Sequence, residues 1–260
     1  MASFTGSSIK DVYKDILHTS NSNTGIGSTI KQITCGDGDT TSLYLSDRNA
    51  KIQPAVDSTT NTVIYDQDGN ALVTVDSTND LVKAGIGQHT VNTQYANFGF
   101  NAVEANMVVN NHYMMSYGTG GYSGLLQSLG TGTDPATSLT ISASGHILAE
   151  CIWYVMDDIT IDRVIWWHGA DAATGDTTRA HLMGYDVVTT AGSTGGDLSN
   201  GVVLADGADV TNAGYEQAYY QQLTIQSANV DAGKAIFFTF RSDSVNSDFT
   251  INATVKYHLR

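Results

Sequence analysis

A chain of 260 residues is long enough for one large domain, or a stem joined to a smaller domain, with a sizeable core. Its 12 Lys and Arg stand against 26 Asp and Glu, and the net charge of −14 argues against a surface that tracks nucleic-acid phosphates. No run is apolar long enough to span a bilayer, so membrane insertion is not expected. The opening MASFTGSSIKDVYKDILH lacks the charged-then-apolar order of a signal peptide.

The residue mixture points to β structure. Glycine numbers 26 and proline 2, and Asp supplies all the acids except Glu104, Glu150 and Glu216. Asp favours turns and caps, where its short carboxylate bonds nearby backbone N–H groups, whereas Glu favours helices. Thr, Val, Ile and Tyr fill the intervening segments and suit a pleated, half-buried surface. The two cysteines, Cys35 and Cys151, lie too far apart for a metal knuckle and too few for a disulfide framework.

Taken along the chain, the first element is a short amphipathic helix. Ile9, Val12, Tyr13, Ile16 and Leu17 recur at helical spacing, and Ser8 with Asp11 resembles a capping box. Three turns are marginal alone in water, so the stripe needs a partner: either its own domain or another protein. TSNSNTGIGS (19–28) reads as a flexible tether, which makes residues 1–28 an anchor and leash. Residues 29–90 then alternate short strands (29–34, 42–46, 50–53, 61–66, 71–76, 81–85) with Asp/Gly/Asn turns. Asp68-Gly69-Asn70 marks the strongest hairpin. Strands this short and this poor in large apolar residues bury too little area alone. The segment therefore reads as a stem completed by sister chains around a shared axis.

Residues 91–136 have no clean period and read as a connector holding one or two strands. From 137 to 260 the β signal returns, with strands expected at 138–142, 146–156, 158–168, 179–188, 201–206, 219–227, 234–242 and 248–259. Strict alternation over 159–166 sets Ile159, Ile161, Arg163 and Ile165 on one face. So many short strands separated by turn clusters predict a β-sandwich or jelly roll. The expected fold is mainly β: a short N-terminal helix, a trimeric β stem and a jelly-roll-like C-terminal sandwich.

Several phrases resemble known proteins. SIKDVYKDILHTSNSNTGIGSTIKQI, SLYLSDRNAKIQP and NALVTVDSTNDLVKAG are similar to the N-terminal halves of virion proteins of marine tailed bacteriophages, the cyanophage and pelagiphage type. TDPATSLTIS, DDITIDRV, GDLSNGVVLADG, VDAGKAI and DFTINATVKYHLR resemble the β-rich heads that follow that start. The resemblance implies a fibre or capsid-decorating protein made in the host cytoplasm and carried on the virion surface. It implies attachment to a capsid or tail protein through the opening segment and carries over no catalytic residue. Cys35 and the Met114-Met115 region have no counterpart in it.

The search for chemistry is negative. Gly233-Lys234 is followed by Ala235, which removes the P-loop hydroxyl, and Gly121-Tyr122-Ser123-Gly124 has the wrong spacing for a nucleophile elbow. No HExxH occurs, and the seven histidines form no i, i+4 pair. Asp66-Gln67-Asp68-Gly69-Asn70 gathers oxygen ligands as a calcium loop would but lacks the closing Glu, so a plain turn is the better reading. Neither catalytic residues nor cofactors nor metals are therefore expected. The rival functions are a tail fibre gripping a host glycan and a glycan-degrading spike, which needs only two carboxylates. Trp166-Trp167 carries more information, because neighbours on a strand face opposite ways. One indole should pack inside. The other, together with Trp153 or with Tyr219 and Tyr220, meets either a sugar ring or a neighbouring subunit, the commoner fate in a trimeric sandwich.

Overall fold

Short β-branched runs separated by Asp-Gly turns can pair only with their sequence neighbours, and the first part of the chain does this twice. The computed structural model describes residues 16–19, 25–105, 108–118, 135, 148–171, 174–214, 217–243 and 247–260. The chain divides into two units, Met1–Val91 and Asn92–Arg260. In the first, His18–Thr19, Lys31–Thr34, Thr40–Leu45 and Ala50–Ile52 form one four-stranded antiparallel meander. Thr62–Tyr65, Ala71–Asp76, Leu81–Ala84 and His89–Thr90 form another. The turn at 66–70 closes on itself: Asp66 Oδ1 accepts the N–H groups of Asp68 and Asn70 at 2.9 and 2.7 Å, and Gly69 takes the positive φ of 84°. The Asn70 side-chain amide, donating to Asp66 Oδ2 at 2.9 Å, together with those backbone bonds holds the Asp66 carboxyl below its usual range, and the loop is a hairpin turn.

Of the expected helix, Ile9, Val12 and Tyr13 lie outside the described residues. Ile16 and Leu17 are not helical, and the chain passes directly into His18–Thr19, paired with Thr34 and Ile33. Backbone hydrogen bonding to a neighbouring strand takes the place of the last helical turn there.

Burial in this unit is inverted. Among its described residues Ile33 is the one buried apolar side chain, beside buried Thr34, Thr74 and Asp76. Ile52, Val56, Ile64 and Ile86 are all more than half exposed. Register places Ile64, Val73 and Ala84 in one row and Thr62, Val75 and Val82 in the next, so the second meander shows an apolar face.

The second unit is two antiparallel sheets packed face to face. The open sheet runs Ser116–Tyr117, Thr93–Ala105, Ser247–Leu259, Ile159–Asp171 and Ala218–Gln222. The covered sheet runs Tyr113–Met114, Lys234–Ser242, Thr177–Val187, Leu198–Asp206 and Thr224–Ile225. Phe98 meets Phe238 at 5.9 Å between ring centroids, and Phe100 meets Phe240 at 4.7 Å, in a shared core with Val164, Trp166, Leu182, Ile236, Ile251 and Val255. The far side of the covered sheet is buried as well: Met183, Tyr185 and Phe237 pack under Leu148, Cys151 and Ile152. Burial pushes the Cys151 thiol up to about 12.

Three local expectations change. Thr93–Ala105, read as part of a connector, is a long inner strand paired with Ser247–Leu259, its Phe98 and Phe100 aimed at the core. The strand expected over 146–156 shrinks to Trp153–Tyr154. Cys151 and Ile152 donate their N–H groups to the Leu148 carbonyl, and that turn lays the apolar run over the sheet instead of extending it. The alternation over 159–166 breaks at a β-bulge between Ile161 and Arg163. Ile159 and Ile161 point in, but beyond the bulge Val164 and Trp166 point in while Arg163 and Ile165 turn outward. Residues 138–142 lie outside the described residues.

Phe238→Ala removes a fully buried ring from the middle of the shared core. It should cost about 3–5 kcal/mol of sandwich stability, read as a shift in the urea midpoint at unchanged slope.

Candidate functional site

The five aromatic residues singled out in the sequence fall in three places. Trp166 is 1% exposed and Trp167 is 48% exposed, as opposite strand faces require. Inside, Trp166 stacks on His168 (4.7 Å) and His168 on Tyr219 (5.3 Å), and Trp166 Nε1 donates to Gln221 Oε1 at 3.3 Å. This is a core stack that leaves Trp166 no free face for a ligand, with Tyr219 half-buried at its edge.

His168 is the member of that stack the sequence did not reveal. It is buried, and neither ring nitrogen has a hydrogen-bond partner among the described residues. Burial alone pushes its imidazole from 6.5 down to about 4. The folded protein thus resists protonation that the unfolded chain accepts. Stability from this residue is complete above about pH 6.5 and is lost as pH falls toward 4, by about 3 kcal/mol. The melting temperature should accordingly drop between those values, and His168→Phe, which keeps the stack, should flatten the profile.

Trp153 lies elsewhere. It forms the wall of a groove of about 460 Å³ with Tyr117, Tyr154, Met156, Gln94 and Tyr257. Tyr117 lies parallel to Trp153 (6.1 Å, 4°), and Tyr257 donates to Gln94 Oε1 at 2.9 Å. The phenol of Tyr257 is raised by burial and by Tyr117. Trp153 itself is buried, so Tyr117, Tyr154 and Met156 present the surface there.

On the outer face of the open sheet Trp167 and Tyr220 stand opposite each other, ring centroids 5.2 Å apart and tilted by 56°. Arg163 Nη2 donates to the Tyr220 hydroxyl at 2.8 Å. Arg163 and Lys256 were not foreseen on this face, because the bulge that sends Arg163 outward has no signature in DITIDRVIWWH.

A polar cluster occupies one end of the covered sheet. Arg179 forks onto Asp206 with bonds of 2.9 Å, His181 Nε2 meets the same carboxylate at 2.9 Å, and Arg241 joins Asp209 and Asn110. The ring of His112 lies edge-on to His181 at 5.0 Å. Each carboxylate here already meets a cation, which makes the cluster structural. No group of three or more His, Cys, Asp or Glu placed to hold a metal occurs among the described residues.

No protein-family model matches the chain, and no curated protein matches it. Among solved structures it is similar to one titled "Structure of deformed wing virus carrying the GFP gene". That likeness has 11% identity and a TM-score of 0.22, over 64% of this chain and 44% of that one. A likeness so low bears on neither fold nor function.

Proposed function

We propose that this protein is a non-enzymatic structural component of a phage virion: a homotrimeric head fibre or capsid decoration. Its opening segment docks on the particle, its first unit forms a trimeric β stem, and its jelly-roll-like sandwich is presented outward. The observation that carries the reading is the inverted burial of the first unit. Two meanders with one buried apolar side chain cannot offset the cost of ordering their backbone, which is of order 1 kcal/mol per residue. The row of Ile64, Val73 and Ala84, with Val75 and Val82 beside it, is exposed at Ile64 and Val82 and half-buried between, and it supplies what is missing once sister chains cover it. The phrase-level resemblance to marine phage virion proteins supplies the setting. The particle-facing residues are then Ile9, Val12, Tyr13, Ile16 and Leu17, the last of which is well exposed.

Sedimentation equilibrium of the full chain should return three copies, and Ile64→Lys with Val82→Lys should shift the population toward monomer with the sandwich still folded. A monomer whose first unit resists proteolysis contradicts the stem. Deleting residues 1–24 should abolish incorporation into particles and leave the trimer intact; decoration by the truncated chain would remove the anchor.

The alternative of a glycan-gripping fibre has its own observation, the exposed Trp167–Tyr220 pair.

A further inference from the structure

The outer face of the open sheet carries an electrostatic imbalance that the rest of the unit avoids. Arg163 and Lys256 are direct cross-strand partners. Like charges so placed repel. Elsewhere in this unit each described Lys or Arg meets an Asp: Arg179 with Asp206, Lys234 with Asp186, Arg241 with Asp209, Arg260 with Asp231. Arg163 and Lys256 meet none among the described residues, although the chain carries 26 acids against 12 bases. Asp162, their nearest carboxylate in sequence, is engaged by His258 Nδ1 at 2.9 Å. Two adjacent cations left uncompensated in so acidic a chain define a position for an external anion.

The surroundings specify what carries that anion. Two strand rows from Arg163, roughly 13 Å along the strand, Trp167 and Tyr220 expose about half of each side chain. Their flat apolar faces suit the C–H face of a pyranose ring. Exposed Asn252 beside Trp167, and Gln222 in the row between, offer amides that donate to and accept from hydroxyls. Across that backbone spacing Arg163 Nη2 reaches the Tyr220 hydroxyl at 2.8 Å, so the cation adjoins the stacking pair and one acidic sugar unit of a chain can meet both. The partner sheet has no such face, since Leu148, Cys151 and Ile152 cover it.

We propose that this face binds an acidic polysaccharide, with a carboxylate or sulfate held between Arg163 and Lys256 and a ring stacked on Trp167 and Tyr220. The proposal deepens the glycan-gripping alternative by naming the face and the charge of its ligand, and it does not depend on trimerisation. The test is titration of the full-length chain with dextran sulfate, with alginate and with neutral dextran, followed by tryptophan fluorescence and calorimetry. Saturable binding to at least one charged polymer is expected, with none to neutral dextran, and it should weaken as salt is raised. Arg163→Gln with Lys256→Gln should weaken it about tenfold, and Trp167→Ala about tenfold, at unchanged melting temperature. Should Trp167→Ala lower the melting temperature, Tyr220→Ala serves in its place. Absence of binding, or binding that the charge or aromatic variants leave intact, overturns the proposal. So does equal affinity for a single-stranded oligonucleotide, which marks a face for any polyanion. A change of oligomeric state in the charge variant would assign the face to a second copy and overturn it too. Failure of trimerisation in the sedimentation experiment leaves this result independent.

Discussion

Contact between the Phe98–Phe100 side of one sheet and the Phe238–Phe240 side of the other is the interaction on which the second unit depends. Those rings lie 140 positions apart in sequence, so the sandwich closes only when the Thr93–Ala105 strand has joined the far end of the chain. Once it closes, the covered sheet is buried on both sides, because the turn at Leu148–Ile152 lays a second apolar cluster over it. The open sheet is left as the one whose outer face meets solvent across Asn97, Asn252, Trp167 and Tyr220. The place of the proposed site follows from the layering: a face can specialise in ligand chemistry only where the core does not claim it.

The two units solve the burial problem in opposite ways. The sandwich draws a dense aromatic and aliphatic interior from long strands with distant partners. The first unit has only local pairings, and its apolar residues are left on display. Local meanders form readily because little loop entropy opposes them, yet they enclose almost nothing. The proposed self-association would supply firmness from outside, through the placement of Ile64 and Val82.

Much of the β organisation was legible. Alternating Val/Ile/Thr runs bounded by turns located the meander strands except the two-residue His18–Thr19 and His89–Thr90, and KAIFFTFRS and DFTINATVKYHL located two long strands of the sandwich. Adjacent tryptophans correctly implied one indole inside and one outside. What stayed hidden has physical causes. TQYANFGFNAVEA mixes Asn and Gly with its aromatics, so its inner-strand character comes from a partner far away, which no local pattern encodes. CIWYVM reads as a strand by propensity, but its first residues follow a turn, and tertiary packing overrides the propensity. The bulge at Ile161/Arg163 adds a residue without a sequence marker and reverses the facing of everything after it. The candidate face could not be assembled from sequence for that reason: Arg163 belongs with Trp167 only after the reversal.

The two cysteines differ in chemical availability. The thiol of Cys151 lies within the second apolar cluster and is held protonated by burial, whereas Cys35 follows the Lys31–Thr34 strand and is partly exposed. An alkylating dye would therefore react at Cys35 and spare Cys151, giving the native sequence a single reporter position confined to the first unit, with no engineered substitution required.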